Sequence, residues 1–408
     1  MKKIVAFPVV CIALMLVLLS AGCVQPPATL PNTTGTEVDI LYAGGVGPMP
    51  VLISTKQIDG YIAWQPFVSI ATDAKIGQLV TYSQNLPPDN KWDNHPCCVL
   101  TTRDDMVASN PDFVNAMAAQ TILADQWITD NPDKASVDLA EFLAGSGNFT
   151  YGNISVSSTQ VLKDAIPTVK YTTDPTPQWI NQTKDFTNTQ IALGYVNAKL
   201  KNTSASDMDS VLFNFGPYTK ALEMIKNKKI VTPAKLSQPV GIGYLKGDMH
   251  GGAIMIAVKE WRYFNDTYGI ALKPRDQTAA RPEIADLIVN GVTVAEVHLI
   301  PADAGPQLMQ LEATGSIVMG YAGVPPALAS IDKGSPIRIL MPINTQGSGL
   351  VSAINSPATD WNSFMNWAAQ RSASGKPLKI AAPAKGSIQD VMLKSALESS
   401  GVTVKEVS

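Results

Sequence analysis

One seven-residue run occurs twice in the chain, and its second copy all but ends the protein. Gly291-Val-Thr-Val-Ala-Glu-Val297 and Gly401-Val-Thr-Val-Lys-Glu-Val407 agree in six of seven places. An internal repeat of this kind constrains the fold more than any single motif, because each copy must be part of a similar structural unit. The first copy continues into His298-Leu-Ile-Pro-Ala, Gly305-Pro306, a helix-like stretch, Ile317-Val-Met-Gly320-Tyr321 and Val324-Pro325-Pro326. After the second copy only Ser408 remains. Its counterpart stands at the other end: Val38-Asp-Ile-Leu-Tyr, Gly47-Pro48, a helix-like stretch, Ile58-Asp-Gly60-Tyr61 and Trp64-Gln65-Pro66. The repeat closes only through the termini, so head and tail are expected to build one body together.

Upstream the correspondence continues. Gly241-Ile-Gly-Tyr-Leu-Lys246-Gly247 leads into Asp248 much as Leu378-Lys-Ile-Ala-Ala-Pro-Ala-Lys385-Gly386 leads into Ser387, each reading as strand, Lys-Gly turn and helix. β-rich runs at Val240 to Tyr244, Glu296 to Ile300, Ile317 to Tyr321 and Ile337 to Leu340 alternate with helical patterns at Ala253 to Phe264 and Gln307 to Ala313. That alternation predicts α/β lobes with mainly parallel sheets. Two similar units imply two lobes, with a ligand groove between them at the C-terminal ends of the strands. Pro111 to Trp127 and Pro132 to Leu143 read as amphipathic helices, and 145–237 as a polar, mostly helical tail.

Lys2 and Lys3 precede an apolar run from Ile4 to Leu19 that is shorter than the ~20 residues of a spanning helix and is interrupted by Pro8. Together with Ser20-Ala-Gly22-Cys23 it reads as a lipoprotein signal whose Cys23 is lipidated, although Leu19 lies one place further from the cysteine than usual. A retained anchor helix is the alternative, and either places the body outside the cytoplasm. Val24 to Glu37, mostly Pro and Thr with Gly and Asn and almost no charge, reads as a solvated tether. Sequons at Asn32, Asn148, Asn153, Asn181, Asn202 and Asn265 are compatible with a glycosylated surface. Of four cysteines, Cys11 and Cys23 fall in the signal, which leaves Cys97-Cys98 and no disulfide framework. With 31 basic and 34 acidic residues and no basic run, the chain lacks a phosphate-neutralising surface, so nucleic acid is not an expected partner.

At this point the residues resemble the substrate-binding proteins of ABC importers, in the nitrate, sulfonate, taurine and bicarbonate branch with its thiamine-precursor relatives. The resemblance is carried by Lys246-Gly-Asp-Met-His250, Gly305-Pro-Gln-Leu-Met309, Gly320-Tyr-Ala-Gly-Val-Pro-Pro326, Thr345-Gln-Gly-Ser348 and Lys385-Gly-Ser-Ile-Gln-Asp390. Ile58-Asp-Gly-Tyr-Ile-Ala-Trp-Gln-Pro66 and His95-Pro-Cys-Cys98 complete it. It covers roughly 38–144 and 239–408, in the reverse of the family's order. It implies a two-lobed, periplasmic-binding-protein-like α/β fold of type II, circularly permuted, with the lobes joined by a hinge. Residues 38–95 and 346–408 would form the second lobe, and 96–237 and 239–345 the first, with 1–23 as signal and 24–37 as tether. The implied protein is a monomer without cofactor or catalysis. It is anchored outside the cell membrane by lipid and passes a small anion or polar solute to an ABC permease and ATPase.

Lys246-Gly247 and Lys385-Gly386 each precede a predicted helix, whose free N–H groups and dipole suit an anion. Ordinary strand-to-helix turns would look the same. Asp248, Gly45, Thr345, Ser348, Ser387 and Gln389 could add hydrogen bonds, and Trp64 and Tyr321 aromatic walls, although turn-forming and core roles fit them equally. His250 is a candidate contact or a structural histidine. Cys97 and Cys98 read as buried small apolar residues at the crossover between lobes or, beside His95, as a soft-metal or catalytic pair such as thiamine-pyrimidine synthases place in the same fold. His298 falls within a predicted strand. No G-x-S-x-G, H-E-x-x-H, Walker A or EF-hand motif occurs, and Gly241, Gly243 and Gly247 have the wrong spacing for a dinucleotide fingerprint.

Overall fold

A computed structural model describes residues 35–145 and 147–408. The signal, Cys11, Cys23, the first sequon and nearly all of the tether lie outside the described residues. Seventeen strands are described, in chain order β1 (Glu37–Tyr42), β2 (Gly60–Trp64), β3 (Gly77–Tyr82), β4 (Cys98–Arg103), β5 (Asn148–Tyr151), β6 (Ile154–Ser157), β7 (Val169–Tyr171) and β8 (Val240–Leu245). There follow β9 (Ile270–Pro274), β10 (Ile284–Val289), β11 (Val292–Ala302), β12 (Met319–Gly323), β13 (Ile337–Pro342), β14 (Asn344–Gln346), β15 (Ser348–Ala353), β16 (Leu378–Ala382) and β17 (Thr403–Val407).

Two large sheets carry the fold. One has the order β17-β1-β16-β2-β15-β3 and the other β13-β4-β12-β8-β11-β10-β9. Aligned on their centres, β1-β16-β2-β15-β3 and β11-β8-β12-β4-β13 are the same arrangement: three parallel strands, one reversed strand and an outer strand antiparallel to it. The registers agree as well, since Ile380 stands between Ile40 and Gly60 in one sheet as Gly243 stands between Ile300 and Gly320 in the other.

Four sequence expectations need correction or refinement. The sheets are mixed rather than mainly parallel, because β4 and β15 each run against their neighbours and a hairpin joins β10 to β11. The two matching heptads occupy different places. Val292 to Val297 is continuous with the rest of β11, whereas β17 ends and lies beside β1 in parallel, Thr403 opposite Glu37 and Val407 opposite Leu41. The segment 145–237 is not only a helical tail: it contains the β5–β6 hairpin and β7, which pairs with β14. The helix expected over Ala253 to Phe264 is two, Gly252–Lys259 and Trp261–Tyr268, which meet at Glu260.

Elsewhere the residues explain the elements directly. Helix Pro111–Asp130 starts on a proline whose missing N–H costs nothing in the first turn, and it buries Phe113, Val114, Met117 and Leu123. Helix Pro132–Ala144 begins likewise and ends at Gly145, whose left-handed backbone (φ 68°) suits glycine. In β8 the Gly241-x-Gly243 pattern serves packing. A side chain at 241 would lie 2.6 Å from the Ser316 carbonyl, and one at 243 would strike Leu308 and Ile317. Among the described residues no helix is long and apolar enough to cross a membrane.

Candidate functional site

The two sheets are connected by two passages that run side by side. Residues 83–97 lead from β3 into β4, and 343–347 lead from β13 into β15. They pair through Cys97 N–H on the Asn344 carbonyl (3.2 Å), Gln346 N–H on the His95 carbonyl (3.2 Å) and a bridge between Pro96 and Thr345. β7 adds a third strand, Lys170 opposite Thr345.

Beside this crossing lies a small cavity of about 10 Å³, bordered by Trp64, Cys97, Cys98, Asp248, Ser387 and Gln389. That is room for about one water. Its wall includes strand ends, Trp64 of β2, Leu245 of β8 and Gly323 of β12, and helix starts at Gly305 and Ile388. Helix N-termini present unpaired N–H groups and a positive dipole end, which favours a negatively charged or strongly accepting occupant. Ser387 caps the Ile388–Ser399 helix by accepting from Asp390 N–H (3.3 Å), and Gln389 Nε2 donates to Ser348 Oγ (2.8 Å). Trp64, only 3% exposed, has an indole N–H without an acceptor, and the buried Thr345 hydroxyl also lacks a partner. Unsatisfied buried groups of this kind cost about 1–3 kcal/mol each, which a ligand offering the missing partners would offset.

A second arrangement adjoins the same cavity. Asp248 Oδ1 accepts from His250 N–H (2.8 Å) and pairs with His250 Nδ1 (2.6 Å), while His250 Nε2 faces the Gln346 carbonyl (3.2 Å). The Cys97 thiol and the same ring act on one another through their charges. Burial alone would push the Cys97 thiol up, but its hydrogen bond with Cys98 and the neighbouring imidazole charge outweigh burial and carry it below the usual thiol range. His250 is carried well above the usual histidine range: burial opposes its charge, yet Cys97 and Asp248 supply negative charge and hydrogen bonds around it. Cys98 moves the other way, raised first by its hydrogen bond to Cys97 and then by burial.

The remaining sequence candidates fall into three groups. Trp64, Asp248, Ser387 and Gln389 border the central cavity, with Ser348 hydrogen-bonded to Gln389 and His250 to Asp248. The two Lys-Gly turns do not share a cavity. Lys246, Gly247 and Gly45 border one of about 320 Å³ with Arg281 and Asp303, while Lys385 and Gly386 border another of about 300 Å³ with Tyr195 and Lys333. Lys385 Nζ donates instead to Glu406 (2.9 Å), and the Lys246 side chain stands 3.9 Å from Asp303. Only the second turn leads directly into a capped α-helix. After Lys246-Gly247 comes a single 3-10 turn, Met249–Gly251, capped by Asp248. Tyr321 is a core residue, its hydroxyl 2.7 Å from Thr121 in helix Pro111–Asp130, and not an aromatic wall.

His95 does not join the cysteines. Its Nε2 pairs with Ser83 Oγ (2.8 Å), its Nδ1 with the Pro96 carbonyl (3.2 Å), and burial lowers it to about 4. Half-buried His298 pairs with Glu296 (2.7 Å). Among the described residues no group of three or more His, Cys, Asp and Glu side chains is placed to hold a metal ion. Asn344 is the important residue that sequence reasoning missed. Its Oδ1 accepts from Cys98 N–H (3.1 Å) and its Nδ2 donates to the His250 carbonyl (2.7 Å), joining both arrangements. An asparagine between strand-like runs carries no signal for such a role.

Comparison with known proteins adds sequence relationships to this geometry. The profile of the NMT1-like family matches residues 12–144 and 237–408, leaving out the segment that supplies β5, β6 and β7. An uncharacterised protein of Methanocaldococcus jannaschii is 27% identical over 106 residues, 26% of this chain and 70% of the relative. No solved structure matches the chain significantly.

Proposed function

The chain belongs to the NMT1-like family of ABC-importer substrate-binding proteins, and from that premise we propose that it is an extracytoplasmic solute receptor. In this reading each large sheet is the centre of one lobe, and the lobes close over a small anionic or polar solute of the nitrate, sulfonate, taurine or bicarbonate kind. The paired passages at 95–98 and 343–347 act as the hinge. Discrimination needs only differential affinity for the closed state, with no bond chemistry. Lipidated Cys23 holds the receptor at the membrane, where it delivers the solute to a permease and its ATPase. Relative to its family the chain is permuted, its ends lying within the second lobe. Asn148, Asn153, Asn181 and Asn202 are exposed and open to glycosylation.

The observation that carries this reading is the lining of the cavity, whose ~10 Å³ widens for a solute larger than water only as the sheets part. Equivalent elements of two equivalent sheets meet there, and the unpaired indole N–H of Trp64 borders a space at helix N-termini. A thermal-shift series with nitrate, sulfite, taurine, an alkanesulfonate and bicarbonate tests it. At 100 times Kd a solute that binds only the folded chain adds about 2.7 kcal/mol and raises Tm by several degrees. Gln389→Ala and Trp64→Phe should weaken that shift without lowering the ligand-free Tm by a similar amount. If no such solute moves Tm and none changes tryptophan fluorescence, the solute class is wrong.

A further inference from the structure

We propose that Cys97 and Cys98 form a dithiol redox centre in the cleft, with Cys97 as the attacking sulfur and Cys98 as the resolving one. The inference goes beyond solute capture and rests on that reading only for the parting of the sheets that lets a disulfide reach the two sulfurs. In a regular strand successive side chains face opposite sides of the sheet. Here both sulfurs border one cavity and stand 3.8 Å apart. The backbone accounts for this, since Cys97 lies just before β4 and is held on both sides. Its N–H donates to the Asn344 carbonyl (3.2 Å), its own carbonyl accepts from Val324 N–H (2.9 Å), and Cys98 N–H is taken by Asn344 Oδ1.

The Asp248–His250 pair supplies the rest of the machinery. Asp248 fixes the ring through Nδ1, and the charge of the ring acts on Cys97. The two thiols are thereby made unequal: Cys97 is held as a thiolate by the imidazolium, and Cys98 is kept protonated. Such a difference separates an attacking thiol from a resolving one. With a low-molecular-weight disulfide RSSR as oxidant, the Cys97 thiolate attacks one sulfur and expels RS⁻, which takes the His250 proton and leaves as RSH. The Cys98 sulfur then attacks the Cys97 sulfur of the mixed disulfide. The second RS⁻ departs with the Cys98 proton. The pair has lost two electrons and two protons to the disulfide, which leaves as two RSH. Cys97 and Cys98 are 1% and 3% exposed, so the reaction proceeds through the open cleft.

Reduced full-length protein, incubated with glutathione disulfide at about pH 6.5 and quenched by alkylation, tests the proposal through peptide mapping by mass spectrometry. Mapping also separates this pair from Cys11 and Cys23. The expected product is a Cys97–Cys98 peptide that has lost two hydrogens and carries no adduct. Cys98→Ser should stop the reaction as a glutathione adduct on Cys97, whereas Cys97→Ser should leave Cys98 at least about fivefold slower to react, following the thiolate fraction and nucleophilicity of each. His250→Gln should slow Cys97 similarly. If that variant fails to fold, the two serine variants decide the matter. The proposal is overturned if both thiols of the folded chain stay fully alkylatable, or if Cys98 alone reacts as fast as Cys97 alone.

Discussion

Gly347 shows how tightly a single position can be tied to the site. Its φ is +82°, in the region that side chains avoid, and a methyl there would overlap His250 Nε2 and stand 2.7 Å from Val169. Gly347→Ala therefore combines a backbone cost with a clash, and we expect a loss on the order of 2–4 kcal/mol in denaturant unfolding. It should also displace the His250 ring and so slow Cys97 alkylation. Glu312 is a separate case, fully buried, with Thr101 Oγ1 donating to its Oε2 (2.6 Å). Burial raises its carboxyl from 4.5 to about 8, against weaker opposing effects of Thr101 and Arg103. Because the folded value lies above the unfolded one, its contribution to stability is complete below about pH 4.5 and is lost as pH rises to about 8. Glu312→Gln, neutral throughout, should flatten that slope and be more stable than the parent at pH 8.5 to 9. Unfolding curves taken across the range, showing equal slopes in both proteins, would refute the assignment.

Among the elements, β17 is the most exposed to test, because it is short, lies at a sheet edge and ends the chain. It covers β1 over five paired positions and places Glu406 against Lys394 (2.6 Å) and Lys385 (2.9 Å). Ending the chain at Ser400 removes those pairings, leaves the buried Lys394 with the Asp390 carboxylate at 3.7 Å, and exposes the edge of β1. A loss on the order of 3–5 kcal/mol follows, with a tendency to self-associate that light scattering would detect. An unchanged melting temperature would mean that β1 does not need its outer neighbour. This strand also shows what sequence can convey. The Val-Thr-Val pattern of both heptads predicts strands, because alternation and β-branched residues are local properties. Strand partners are not local: one copy pairs antiparallel with β10 and the other parallel with β1, and the seven residues are nearly identical. For the same reason the Lys-Gly turns were legible as turns but not as occupants of separate cavities. β7 joins the crossing from a segment with no family resemblance, so nothing marked it in advance.

For the whole molecule the decisive feature is that connectivity and architecture disagree. Five strands of each sheet have the same arrangement, yet one sheet is read along a continuous stretch apart from β4, while the other is assembled from 37–82 and 348–407. If architecture sets stability, moving the chain ends should matter little so long as the cut falls where the backbone makes few contacts. Between Ser237 and Gln238 both residues are exposed and outside regular structure, and β8 begins only at Val240. Joining Ser408 back to Gly35 requires a return along β17, because parallel pairing puts Val407 opposite Leu41 rather than Glu37. Five residues of strand span ~17 Å, which a Gly/Ser linker of ~8 residues can cover at ~3.3 Å or more per residue. A chain running from Gln238 through Ser408, the linker and Gly35 to Ser237 should then give the parent's far-UV spectrum and melt cooperatively within about 5 °C of it, the scale of a change of a few kcal/mol in a chain of this length. A chain opened instead between Thr101 and Thr102 should not fold, because β4 lies inside a sheet with β12 and β13 on either side. If the first permutant is insoluble while the parent is not, the unbroken link into β8 is needed to bring the sheets together, and the present order of the chain is part of the fold rather than one of several ways to thread it.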